Sequence, residues 1–114
     1  MKRFFLFILI SLFSFSAFAQ KDEIKTETFK VEGNCDMCKK RIEDAAYIKG
    51  VKRADWSPET DLLTITYRTS KTNLETIQKA IAKVGHNAGE VVATEADYTN
   101  LPECCQYKTN SCNH

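Results

Sequence analysis

Alternating and helical hydrophobic patterns follow one another in an order that restricts this chain to very few folds. A strand-like segment precedes an amphipathic helix, two strands joined by a turn, a second amphipathic helix and a last short strand. Gly50 and Gly85 end the two helices, where a missing side chain suits a C-terminal cap. In chain order the segments are Ile24 to Glu32, Asp36 to Ile48, Val51 to Ser57, Leu63 to Tyr67, Asn73 to Val84 and Asn87 to Ala93.

This order predicts an α+β fold, a ferredoxin-like βαββαβ sandwich with two helices on one face of a four-stranded antiparallel sheet. Right-handed crossovers then place the loop from Gly33 to Cys38 and the loop from Gly85 to Asn87 at the same end of the domain. Residues of these two loops are therefore expected to meet.

The N-terminus has the pattern of an export signal. Lys2 and Arg3 form a positive start, Phe4 to Phe15 is apolar apart from two serines, and Ala17 to Ala19 is the small-x-small pattern that precedes a cut, here ahead of Gln20. The apolar run is short for a membrane span, although an uncleaved anchor is the alternative. The predicted division is a signal peptide at 1–19, a domain at 20–93 and a cysteine-containing extension at 94–114.

Charge and cysteine content narrow the function. Without Lys2 and Arg3 the mature chain has 14 basic and 15 acidic residues, a balance that argues against nucleic-acid binding. So short a chain also excludes a two-domain enzyme. The leader predicts a periplasmic or secreted protein that contacts the membrane only through this transient segment. The chain has five cysteines, and in such an oxidising compartment each thiol is paired, metal-bound or reactive.

Cys35 and Cys38 form a C-x-x-C motif where the first strand turns into the first helix. Cysteines three apart at a helix start can direct both sulfurs at one point, and the helix N-terminus, with Lys39 to Arg41 nearby, is expected to lower the thiol pKa values. Two thiolates with few other ligands suit a soft ion of low coordination number such as Cu(I), whereas structural zinc requires four ligands. The alternatives are a disulfide staple and a small thiol-disulfide oxidoreductase that uses the same pair.

The stretch from Phe29 to Glu43, FKVEGNCDMCKKRIE, resembles the opening of a heavy-metal-associated (HMA) domain. This family includes copper chaperones, modules of copper-pumping ATPases and the periplasmic mercury-binding protein, and the resemblance extends over about Ile24 to Ala93. It implies that Cys35 and Cys38 bind the metal and pass it by ligand exchange to a partner with a similar site. The sequence departs from the family pattern because Gly33-Asn34-Cys35 is one residue shorter and lacks the usual methionine.

Further candidate ligands lie outside the motif. His86 lies in the loop that should meet Cys35 and Cys38, and it is either a ligand or an exposed turn residue. Cys104 and Cys105 can return to the motif as additional sulfur ligands, or can pair with Cys112 or another chain.

These observations predict a soft-metal chaperone, scavenger or transfer module. Cu(I) is the first choice of ion, with Hg(II), Ag(I) and Zn(II) as the others. Its expected partners are a metal-transporting ATPase or an efflux protein, met through the basic cluster Lys39 to Arg41, and a dimer linked by metal or disulfide is a further expectation. No acid/base pair or catalytic triad is visible in the sequence, so we predict no enzymatic activity and no catalytic residues.

Overall fold

The computed structural model describes residues 23–109, so the predicted leader, Cys112 and His114 lie outside the described residues. Three antiparallel strands form a sheet in the order β1-β3-β2. They are β1 (Ile24–Lys30), β2 (Val51–Trp56) and β3 (Leu62–Arg68). Three α-helices, α1 (Asp36–Ala46), α2 (Leu74–Ala82) and α3 (Glu95–Thr99), and a short 3-10 helix at Glu103–Cys105 complete the described structure. None of the helices within 23–109 has the length and apolar character needed to cross a membrane.

Local sequence accounts for both long helices. In α1, Cys38, Ile42 and Ala46 recur every four residues and are all buried, as an amphipathic helix requires. α2 begins after Asn73, whose side-chain oxygen accepts a hydrogen bond from Thr76 N at 2.8 Å, as predicted for an N-cap.

The buried side chains lie between the sheet and the two long helices. β3 alternates exposed and buried positions, so that Leu63 and Ile65 point inward and belong to the same buried cluster as Ile77 and Ile81 of α2. Trp56 at the end of β2 is fully buried, and its indole N–H donates to Val31 O at 2.8 Å. The indole thereby connects the core to the loop that carries the cysteine motif.

The predicted fourth strand is not confirmed. Ala88 makes isolated bridges to Val31 and Val91, and the chain turns back on itself between Ala88 and Val91 through two backbone hydrogen bonds of 2.9 and 3.0 Å. The turn contains Gly89 at φ +57°, a conformation that glycine adopts without strain. The segment expected to run as a strand from Asn87 to Ala93 therefore forms no strand, and it is joined to the first strand's side of the sheet only by the isolated bridge between Ala88 and Val31, just after β1 ends.

The predicted count of two helices is also not confirmed, because residues 94–109, which we call the C-terminal strap, contain further helical turns. Thr94 caps α3 by accepting a hydrogen bond from Asp97 N at 3.1 Å. Tyr98 and Leu101 are buried against the domain, and the 3-10 helix follows. The strap thus packs on the end of the domain where the cysteine motif lies.

Candidate metal centre

The first turn of α1 brings the sulfurs of Cys35 and Cys38 to 3.5 Å from each other. Cys35 is the residue before the helix and has extended backbone, whereas Cys38 lies one turn further along. The Cys38 thiol donates to the side-chain oxygen of Asn34 at 3.1 Å, which fixes its direction. Both cysteines are buried, with exposed fractions of 4% and 0%.

The strap brings a third sulfur to this pair. Cys105 Sγ lies 3.9 Å from Cys35 Sγ, and the sulfurs of Cys35, Cys38 and Cys105 all lie within 4.8 Å of one another. Cys105 is fully buried. No disulfide joins any two of the four cysteines in residues 23–109. We call these three residues the sulfur cluster.

The loop at Gly85 and His86 holds the strap over the cluster. Tyr107 donates from its hydroxyl to Gly85 O at 3.1 Å and accepts from Asn87 N at 3.1 Å. Its ring stacks on His86 at 5.5 Å between centroids and meets Tyr98 edge-on at 5.2 Å. Leu101 and Tyr107 are therefore packing anchors, and Cys105 lies between them in the chain.

The loop from Gly85 to Asn87 meets Glu32, the residue just before the loop that carries the cysteine motif. Glu32 N donates to Asn87 O at 3.0 Å, and the Asn87 side-chain amide donates to the Glu32 carboxylate at 2.9 Å. His86 Nδ1 lies 2.7 Å from Glu32 O, and since a carbonyl only accepts, this nitrogen carries the proton.

His86 is not part of the sulfur cluster. Its Nε2 is buried and has no hydrogen-bond partner within residues 23–109. Burial lowers the pKa of the imidazole, and the nearby positive charge of Arg41 lowers it further, against the opposing effect of the hydrogen bond to Glu32. The neutral ring fixes the loop beneath the strap, and its role as a ligand stays a prediction.

The predicted lowering of the thiol pKa values is contradicted for Cys38. Burial raises the pKa of the Cys38 thiol and also that of Cys105, so desolvation outweighs the helix N-terminus in the metal-free protein. The positive charge of Lys39 does not cancel this rise in the thiol pKa values, because its ammonium group is paired with carboxylates away from the sulfurs. Its ammonium group contacts Glu43 at 2.7 Å and Asp55 at 2.9 Å and donates to Trp56 O.

Three buried sulfurs with no oxygen donor among them fit a soft cation. Thiolates select ions such as Cu(I) and Hg(II), while hard cations require carboxylate or carbonyl oxygens. A structural zinc ion would need a fourth ligand to complete its tetrahedron, and the cluster found within residues 23–109 supplies three. The donor set therefore matches ions of low coordination number.

Cys104 lies beside the cluster without belonging to it. Its sulfur is 3.9 Å from Cys105 Sγ and 3.7 Å from Met37 Sδ, and its side chain is partly exposed. No local sequence pattern predicts the contact with Met37, because that contact depends on where the strap returns.

Residues 28–87, more than half of the chain, match the heavy-metal-associated domain family. The chain belongs to this family. The match covers Cys35, Cys38 and His86 of the HMA domain, whereas Cys105 and the whole strap lie beyond it. The third sulfur of the cluster thus comes from outside the family-defining segment.

The relatives of this HMA domain carry and transport metals. A zinc-transporting ATPase of Synechocystis sp. (strain ATCC 27184 / PCC 6803 / Kazusa) is 36% identical over 73 residues, which are 62% of this chain and 10% of the ATPase. The present chain therefore spans about one tenth of that relative's length.

Solved structures of metal-binding proteins are similar to this domain as well. The CopZ metallochaperone superposes with a TM-score of 0.54 at 32% identity, covering 56% of this chain and 98% of CopZ. Oxidized MerP from Ralstonia metallidurans CH34 gives 0.56 at 28% identity, covering 59% and 96%. The N-terminal domain of a potential copper-translocating P-type ATPase from Bacillus subtilis, in its Cu(I)-loaded state, gives 0.56 at 25%, covering 59% and 86%. These similarities give no support to the oxidoreductase alternative.

Proposed function

We propose that this protein is an exported carrier of a soft metal ion, with Cu(I) as its cargo. The ion is held by the thiolates of Cys35, Cys38 and Cys105 and is passed on to a metal-transporting partner. The single observation that carries the proposal is the sulfur cluster, three buried sulfurs within 4.8 Å of one another.

Several features support Cu(I). Three thiolates at such distances suit a trigonal soft ion, since metal-sulfur bonds of about 2.3 Å at 120° to one another place the sulfurs about 4.0 Å apart. The Arg41 guanidinium opposes the effect of burial on the pKa of the Cys105 thiol, so a positive charge is available to offset the excess negative charge of three thiolates around one Cu(I). Cu(I)-bound and copper-translocating relatives support the same ion.

The proposed location and partner come from other observations. The N-terminal pattern ending at Ala19 supports export, and burial of the sulfurs would protect them in an oxidising compartment. Among the relatives are an ATPase and the N-terminal domain of another, which supports a metal-transporting ATPase as the partner.

Anaerobic titration of the reduced protein with Cu(I), against a chelator of known affinity, tests the proposal. We expect one tightly bound equivalent, and its loss in Cys35→Ser/Cys38→Ser. Cys105→Ser should weaken binding by at least about tenfold, or about 1.4 kcal/mol. X-ray absorption should report three sulfur ligands in the wild-type protein and two in this variant.

Cys112→Ser is the matched control, because it removes a C-terminal thiol that lies outside the described residues and should leave affinity and sulfur count unchanged. Wild-type protein that captures Cu(I) no better than the Cys35→Ser/Cys38→Ser variant would refute the proposal. N-terminal sequencing of the exported product should give Gln20 as its first residue, and an intact leader on that product would refute the assignment of the cut.

A further inference from the structure

The sulfur cluster is closed to solvent, which conflicts with rapid transfer. Exposed fractions are 4% for Cys35 and 0% for Cys38 and Cys105. A donor or acceptor of the ion must form a bond to it before the old bonds break, because a soft ion does not travel free through protein. The buried sulfurs are out of reach of such a molecule.

A line of sulfurs leads from the surface to the cluster. Met37 is 51% exposed, and its sulfur lies 3.7 Å from that of Cys104. Cys104 Sγ lies 3.9 Å from Cys105 Sγ, which lies 3.9 Å from Cys35 Sγ. Each step is shorter than the about 4.6 Å that two metal-sulfur bonds can bridge.

We propose that Met37 and Cys104 form an outer soft-metal site, through which Cu(I) enters and leaves the buried sulfur cluster. The proposal rests on the proposed function and adds a transfer route to it. Met37 also lines an open groove of about 510 Å³ bordered by Lys40 and Arg41, so an incoming molecule can reach its thioether.

Transfer along this line is a ligand exchange in which copper stays Cu(I) and no electron moves. At the outer site, the Met37 thioether and the Cys104 sulfur bind the ion as its bonds to the donor molecule break, and Cys104 releases its thiol proton to solvent. As the ion moves inward, each thiol of the sulfur cluster gives up its proton on binding copper, the bonds from copper to Met37 and Cys104 break, and Cys104 takes a proton back. Unloading follows the same steps in reverse.

The route predicts a kinetic effect without a change in affinity. Stopped-flow spectroscopy follows Cu(I) transfer from a coloured Cu(I) chelate to the reduced apoprotein, and back to excess chelator. In Met37→Leu/Cys104→Ser, both rates should fall by at least about tenfold, which corresponds to about 1.4 kcal/mol of barrier. Both rates should fall by the same factor, because a residue that acts only on the path leaves the equilibrium unchanged.

Cys104→Met is the matched variant, since it keeps a soft sulfur donor, and it should restore most of the rate that Cys104→Ser loses. Wild-type rates in the double variant would overturn the route. A lower affinity caused by faster release alone would also overturn the route, because that result would make Cys104 a ligand of the ion bound in the sulfur cluster. If the wild-type protein itself takes up no Cu(I), the proposed function fails as well, and the two failures are thereby distinguished.

Discussion

Tyr107→Phe tests whether the strap is docked by the contacts that the structure shows. The substitution keeps the ring that stacks on His86 and removes only the hydroxyl, which donates to Gly85 O and accepts from Asn87 N. The variant therefore tests the contribution of these two hydrogen bonds separately from the packing of the ring.

The expected cost follows from the group that is left behind. A buried backbone N–H that loses its partner costs about 1–3 kcal/mol, and Asn87 and Tyr107 are only partly buried, so that water can replace part of the bond. We expect the free energy of unfolding of the reduced apoprotein to fall by about 1 kcal/mol. Urea unfolding measures this change, and amide hydrogen exchange at Asn87 reports whether the strap alone loosens.

Tyr47→Phe is the matched control. The Tyr47 hydroxyl also accepts from a backbone amide, Ala54 N at 3.1 Å, but its side chain is 49% exposed and lies outside the strap. It should cost less stability and leave exchange at Asn87 unchanged. An unchanged urea midpoint together with unchanged exchange at Asn87 in Tyr107→Phe would refute the docking that we describe.

Three further predictions follow from the site. Burial raises the pKa of Cys38 and Cys105, so Cu(I) must displace their protons; affinity should rise with pH, and competition titrations across pH should find about one proton fewer released in Cys105→Ser. An equal proton count in both proteins would contradict this. Burial lowers the pKa of His86 below its unfolded value, so the unfolded state binds the proton more strongly and stability should decrease as pH falls below about 6.5. His86→Gln should flatten that pH dependence in urea unfolding, and an unchanged profile would exclude the imidazole as its source. Gly85→Ala should destabilise the fold by about 1–3 kcal/mol or more in the same assay, because φ is +102° and the new Cβ would lie 2.7 Å from Asp97 O and from Leu101 Cγ; wild-type stability would show that the strap shifts freely.

Local patterns predicted the parts of the fold that local chemistry decides. The predicted helix from Asn73 matches α2, which Asn73 caps, and the predicted helix from Asp36 matches α1. The predicted strand from Asn87 to Ala93 was not confirmed, because Gly89 closes a turn that returns the chain to Ala88.

The part of the candidate site that could be predicted from sequence is the pair Cys35 and Cys38, because their positions depend only on the start of α1. Crossover handedness predicted that the loop of His86 lies at the same end of the domain as the cysteine motif, and His86 contacts Glu32 beside that motif. The choice between Cys104 and Cys105 could not be made from sequence, because it depends on the path of the strap and on which side of the 3-10 helix faces the motif. The raised pKa of Cys38 was not predicted because it results from burial of that thiol, which depends on tertiary packing and not on the helix start alone.

The packing of Trp56 gives this protein a built-in optical probe. It is the single tryptophan of the chain, it is fully buried, and a Cβ at Gly33 would lie 3.0 Å from its ring and 3.2 Å from Cys38 Cβ. Heavy or polarisable ions quench indole emission at short range. Loading of the thiolates can therefore be followed by intrinsic fluorescence, in unlabelled protein, as each equivalent of metal arrives.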